Sequence, residues 1–326
     1  MMAEAGARTQ GFKIESGSIM TTNDMDMVET FFLEDSNLRG RIVRLGRAVN
    51  DILHTHAYPA PVATLTGQAA VMALLLSSML KDDGIFTLQA QGDGPVGTLV
   101  ADITGHGNVR ACARFDQDRL DRWEADEVPE TAYMGLIGRG HMVFTIDQGG
   151  ENTERYQGVV ELKGGTLVEC VQHYFTQSEQ IATGLRLALR RDDDGHWHAG
   201  AILLQKMPDT AKPDVDPDAW NRAMVLLQSC TDDELLDADL PVNDLLYRLF
   251  HQEGVRAQEP QPVRHQCRCS ADRVENVLVA MSSEERLDLA EEDGKISVKC
   301  EFCSREYKFD AAELEHKLNN PSGVVQ

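Results

Sequence analysis

Positive charge and unbroken apolar stretches are what this sequence has least of. Lysine and arginine total 31 against 53 acidic side chains, a formal charge of −22 over 326 residues. A general nucleic-acid binder needs a basic footprint to displace phosphate counterions, so no nucleic-acid partner is expected. Docking on anionic lipid is disfavoured for the same reason. The longest apolar run, Ala69 to Leu76, is far short of the roughly 20 residues a membrane span needs. Residues 1–27 lack the apolar stretch of a signal peptide and carry too many acids for a transit peptide. They are expected to form a disordered lead-in with no structural role, on a chain that stays cytoplasmic. Structural disulfides are rare in that compartment, so the 7 cysteines ask for a metal, a redox role or burial.

The rest of the composition, 42% apolar and 26% charged, is that of a folded globular protein. The length corresponds to roughly two domains. From 28 to 207 the pattern is mixed. Ile42, Leu45, Val49, Ile52 and Leu53 predict a helix over 41–53, and an apolar segment near 62–80 predicts a helix buried on all sides. Strands are expected at 85–91, 96–104, 108–115, 141–147, 155–162, 183–191 and 197–206, with a helix near 166–176. Successive strands with helices set apart give an α+β core domain. Residues 208–262 are acidic, punctuated by prolines, and carry leucine faces too small to close a core. They are expected to form a helical linker that needs a neighbour to bury Leu226, Leu227, Leu235, Leu236, Leu245, Leu246, Leu249 and Phe250. Residues 263–326 form a small C-terminal domain. Val274, Val277, Leu278 and Met281 mark one helix face behind a Ser270 cap, and Ser282 with Glu285 has capping-box spacing. A short hairpin follows around the last two cysteines.

Cys267-Arg-Cys269, then 30 residues, then Cys300-Glu-Phe-Cys303 is the strongest signal in the chain. Four thiolates in two close pairs supply the tetrahedral shell zinc prefers, and a segment this small usually needs such a staple. His265 is left out because four sulfurs complete the shell. A single residue between Cys267 and Cys269 is unusual for structural zinc. Two residues of extended chain span about 6.6 Å, near the limit for a disulfide, so a bridge there would be strained and readily reduced. Spacing alone leaves a structural zinc site and a redox switch both open.

The pattern resembles the C-terminus of the 33 kDa chaperonins, the redox-regulated heat-shock holdases. The resemblance continues upstream in order: Phe32-Leu33-Glu34-Asp35 with Leu38-Arg39-Gly40, Tyr58-Pro59, Gln91-Gly92-Asp93-Gly94-Pro95, Arg155-Tyr156-Gln157-Gly158, and His173-Tyr174-Phe175 with Gln177-Ser178-Glu179-Gln180. It spans residues 28 to 315. Ser304 departs from it, standing where many relatives carry a small turn residue such as glycine. The resemblance implies an ATP-independent chaperone that binds unfolding proteins and is not an enzyme. It implies one Zn2+ per chain on Cys267, Cys269, Cys300 and Cys303 in a reduced, inactive form. It further implies Cys267–Cys269 and Cys300–Cys303 disulfides, zinc release and a homodimer in the active form, with hand-over of clients to ATP-dependent foldases.

Other motifs read more plainly. Gly92 to Gly97 matches Gly-x-Gly-x-x-Gly, but a strand-like run follows rather than a helix, so a hairpin turn is expected in place of a nucleotide site. His54 and His56, and His196 and His198, lack a third ligand nearby. Cys112, Cys170 and Cys230 sit in apolar patterns and are expected to be buried thiols. Two other classes, a zinc-ribbon regulatory protein and a thiol-disulfide oxidoreductase, fit the cysteines but not the charge or the setting.

Overall fold

A computed structural model describes residues 13–14, 25–77, 80, 84–105, 107–124, 135–149, 155–208 and 216–319. The chain divides into two compact units at the His265–Gln266 bond. The first unit begins β1 (Lys13–Ile14), β2 (Met27–Leu33), β3 (Leu38–Leu45), α1 (Arg47–His54), α2 (Ala60–Leu76), β4 (Ile85–Gly92), β5 (Val96–Thr104) and β6 (Asn108–Phe115). It continues α3 (Gln117–Glu124), β7 (Gly140–Asp147), β8 (Tyr156–Glu161), α4 (Leu167–Tyr174), β9 (Thr183–Arg191) and β10 (Trp197–Lys206). It closes with α5 (Ala219–Gln228), α6 (Asp232–Leu236), α7 (Val242–Phe250), β11 (Val255–Ala257), β12 (Gln261–Pro262) and β13 (Arg264–His265). The second unit holds α8 (Ala271–Ala280), α9 (Ser283–Leu289), β14 (Lys295–Lys299), β15 (Glu306–Asp310) and α10 (Ala311–Asn319).

The first unit has two sheets, ordered β1-β11-β2-β3-β10-β9 with β12 also on β2, and β13-β6-β5-β4-β7-β8. Helix α2 packs against both. Small and aliphatic side chains around its whole circumference let it do so, and all but three of its residues are buried. Sheet one is covered on both faces, so its strands lose the polar–apolar alternation of a half-exposed sheet. On β10, Ala199, Ala201 and Leu203 face the α2 core, while Ile202 and Leu204 face the opposite core beneath α5–α7. The same double cover explains why the expected helix over 41–53 is wrong in its first half. Residues 41–45 belong to β3, whose apolar residues are spaced by burial on two faces, and the helix begins only after Gly46.

The segment 208–262 packs its leucines as the sequence demands. Leu227, Leu235, Leu236, Leu245, Leu246, Leu249 and Phe250 are buried against Phe31, Leu33, Ile42 and Ile202 of sheet one. Glycines in the sheet allow this close approach: a Cβ on Gly184 would stand 2.3 Å from Met224 Sδ, and one on Gly200 2.9 Å from Leu235 Cγ. Polar ties add to the apolar ones. The fully buried Arg44 donates to the carbonyls of Glu234 (2.9 Å), Asp237 (2.9 Å) and Leu240 (2.5 Å). Glu253, 1% exposed, accepts from Arg222 at 2.5 Å and from Ser36. The segment is not purely helical, since β11 and β12 pair with β2.

Most of residues 1–27 lie outside the described residues, but two of their last members are structural. The Asp26 carboxylate accepts from the amides of Gly46, Arg47 and Ala48, capping α1, and Met27 is buried. For these two, and for Lys13–Ile14, which pair with β11 as β1, the expectation of no structural role fails. Among the described residues no helix is long and apolar enough to cross a membrane.

Candidate metal centre

The second unit buries little. Leu278, Ile296 and Leu314 are its buried apolar residues among those described, flanked by half-buried neighbours. Of the expected face on α8, Val277 points away and is 64% exposed, because so thin a core reaches only one edge of the helix. A buried Arg286 compensates in part. Its guanidinium donates to the carbonyls of Leu278 and Met281 and pairs with Glu315 at 2.7 Å, tying α8, α9 and α10 together.

The local elements aim four sulfurs at one point. Ser270 caps α8 by accepting from the Arg273 amide, which fixes the chain just after Cys267 and Cys269. The β14–β15 hairpin, in register from Lys295↔Asp310 to Lys299↔Glu306, carries Cys300 and Cys303 in its connecting turn. That turn closes with the Cys300 amide on the Arg305 carbonyl (2.9 Å) and the Ser304 amide on the Cys300 carbonyl (2.8 Å). Ser304 adopts φ +55°, the left-handed region where glycine rests without penalty. This is the physical content of the one position where the sequence departs from its resemblance.

All four sulfurs lie within 4.8 Å of one another. Cys269 Sγ is 3.4 Å from both Cys267 Sγ and Cys303 Sγ, and Cys267 Sγ is 3.7 Å from Cys300 Sγ. A tetrahedral ion with arms of about 2.3 Å sets its sulfurs about 3.8 Å apart, so the group has the size such an ion needs. The electrostatics point the same way. Burial, more than neighbouring sulfur, pushes the Cys303 thiol up to about 12 and also raises Cys300, although backbone amides of Phe302 and Cys303 favour the Cys300 thiolate. Four adjacent thiolates without a counter-ion are therefore unfavourable, and a divalent cation reverses that balance. Tyr307 adds a hydroxyl donated to Cys269 Sγ at 3.1 Å, raising its own pKa. Its place opposite Val298 in the hairpin follows from the strand pattern, but its reach to sulfur does not.

The other motifs stay apart from this group. Gly92–Gly97 connects antiparallel β4 and β5 rather than a strand and a helix. Its glycines are needed for contact, since a Cβ on Gly92 or Gly94 would stand 2.1 Å from the carbonyl oxygen of Ile137 or Leu136. His198 Nε2 lies 2.9 Å from Asp192 in a local turn. Cys112, Cys170 and Cys230 are buried thiols outside any disulfide.

The sequence model of the Hsp33 protein family matches residues 26–310. The chain belongs to the Hsp33 family. It is 42% identical over 288 residues to the 33 kDa chaperonin of Caulobacter vibrioides, covering 87% of this chain and 95% of that one. It is 39% identical over 293 residues to the 33 kDa chaperonin of Nitrosococcus oceani, covering 90% and 94%. The fold is also that of the solved Hsp33 homologue of Thermotoga maritima, with a TM-score of 0.74 at 24% identity over 90% of this chain and 98% of that one. Hsp33 membership makes the chain a chaperone that binds client proteins, not an enzyme.

Proposed function

We propose that this Hsp33 chain is a cytoplasmic, ATP-independent holdase switched on by oxidation. Residues 28–207 form the chaperone core, 208–262 a redox-sensitive cover, and 263–326 the switch. In the reduced state one Zn2+ is held by Cys267, Cys269, Cys300 and Cys303. The observation that carries this reading is the pairing of a four-sulfur cluster with a unit whose buried apolar core, among the described residues, is three side chains. Structural zinc supplies an apparent stabilisation of about 10–16 kcal/mol in small peptides, far more than so small a core replaces.

Oxidation joins Cys267 to Cys269 and Cys300 to Cys303. Each pair loses two electrons to one hydrogen peroxide: the peroxide O–O bond breaks, an S–S bond forms and two waters leave. Where the sulfurs start as thiolates the protons come from solvent, and zinc departs unchanged in oxidation state. Cys269 is equally near Cys267 and Cys303, so proximity does not select the partner. Local pairing is favoured by outcome, because a cross-pair would keep the two halves of the unit tied. Without its metal the switch unfolds, since backbone entropy of about 1–2 kcal/mol per residue outweighs the remaining core. β12 and β13, paired with β2 and β6 of the first unit, lead directly into Cys267, so unfolding of the switch works back on the strands that hold the end of the 208–262 cover, and the apolar face of sheet one becomes available to clients. The active form dimerises and passes clients to ATP-dependent foldases.

Light scattering from an aggregating client tests this, with reduced and peroxide-treated chain side by side. Suppression by the oxidised form alone is expected. Equal suppression by both forms, or catalytic thiol turnover in place of suppression, contradicts the reading.

A further inference from the structure

Where α2 ends between the sheets, the first unit holds a cavity of about 910 Å³, within the size range of small-molecule sites. Its apolar wall includes Leu75 and Leu76 of α2, Phe86, Phe144, Ile146 and Leu203. One side is a single π-helical turn, Phe175–Glu179, a conformation frequent at functional sites. There the hydroxyls of Tyr174 (2.5 Å) and Tyr156 (2.9 Å) both donate to Glu179 Oε1. Gly158 makes room for this arrangement, since a Cβ there would stand 2.5 Å from the Tyr174 hydroxyl. Two stretches singled out in the sequence, around Arg155-Tyr156-Gln157-Gly158 and His173 to Gln180, thus meet at this cavity, and the metal centre uses neither.

Arg39 of β3 supplies the opposite polarity. Among the described residues its guanidinium has no carboxylate within ion-pair distance, and its Nε is shielded from solvent without an acceptor. Arg41, two residues along the same strand, gives its donors to the carbonyls of Leu74 and Leu75. Burial first, and the charge of Arg39 second, bring its pKa down to about 10. At this end of the cavity Arg39 stands beside an apolar wall with no carboxylate in ion-pair distance among the described residues, although Glu179 and Lys206 also line the cavity. An anionic group is what such a position lacks.

We propose that the cavity binds a single-chain amphiphile of the fatty-carboxylate class, its carboxylate on Arg39 and its chain along Leu75, Phe86, Phe144 and Leu203. The site lies within the first unit, and none of the four cysteines lines it.

Calorimetry of the reduced full-length chain with dodecanoate, below its micellar concentration, tests the assignment. One saturable site per chain is expected, and the cationic dodecyltrimethylammonium should bind at least about tenfold more weakly. Arg39→Gln should weaken dodecanoate by about tenfold or more, and Arg39→Lys should restore most of it. Ala182→Trp, at an exposed lining position, should weaken binding by obstruction without touching Arg39. Circular dichroism checks each variant's fold. Unsaturable dodecanoate uptake, equal affinity for both head groups, or unchanged affinity in a folded Arg39→Gln or Ala182→Trp protein overturns the proposal. Should Arg39→Gln fail to fold, the head-group comparison and Ala182→Trp decide it.

Discussion

The two units of this chain are stabilised by different means. The first encloses a helix between two sheets and buries a second apolar layer under α5–α7. Among the described residues, the second gathers three buried apolar residues, one buried arginine and four sulfurs. Burial of the first kind is spread over dozens of side chains, so no single chemical event removes it. On the proposed reading the second unit's stability rests on four sulfur atoms, and one such event removes it. The contrast teaches that chemistry at sulfur can be confined to one end of a chain whose other end stays folded.

Stripping the metal should break this comparison most visibly. A strong chelator applied to reduced protein should abolish amide-exchange protection across 271–319 and leave it in β2–β10. Protection that survives in the second unit would mean its small core suffices. Serine at Cys267, Cys269, Cys300 or Cys303 should weaken metal retention, and serine at Cys112, Cys170 or Cys230 should not.

The cover over sheet one comes next. Leu246→Ala removes a fully buried side chain, a change that costs about 2–5 kcal/mol. It should loosen 219–257 and raise basal client protection without oxidant, by light scattering. Unchanged basal activity with a loosened segment would show that the sheet face beneath is not where clients bind.

Glu253→Gln should cost about 1–3 kcal/mol, because it weakens the bond from the half-exposed Arg222 to a buried carboxylate. Arg222 foremost, helped by Ser36, holds the Glu253 carboxyl below its ordinary range against the opposing effect of burial. A depressed carboxylate pKa stabilises the folded state above the unfolded value of about 4.3. That contribution is lost as pH falls from there through the lower folded value. Denaturant melts of the first unit should therefore weaken more steeply below that pH in the wild type than in Glu253→Gln.

Two smaller effects sharpen the contrast. Ser304→Gly relieves a left-handed residue and should stabilise the metal-bound hairpin by up to about 1 kcal/mol, measured by metal competition. Asp233→Ala removes an exposed partner of Arg190 and should change the stability of the first unit by under about 1 kcal/mol.

Residues whose signal is local were readable in advance. The all-apolar α2, the Ser282–Glu285 capping box and the cysteine spacing each state their role within a few positions. Features that depend on what lies on a strand's second face were not. Residues 41–45 gave helical spacing because β3 is buried on both sides, and β11 is too short to stand out until β2 is beside it. The approach of Tyr307 to Cys269 and the junction of Tyr156, Tyr174 and Glu179 depend on register and packing, which sequence spacing does not encode.

Arg44 has a consequence for how sharply the cover can open. Its guanidinium spends donors on three carbonyls that follow one another through α6 and the turn beyond it. A partial lift of that segment would leave an arginine at the bottom of an apolar layer with some acceptors gone and no water yet admitted, a high-energy arrangement. Intermediate openings are thereby penalised relative to both the seated and the fully released states. If the cover lifts as proposed, its release is then an all-or-none step, and a population of chains responds by changing its fraction open rather than by opening each a little.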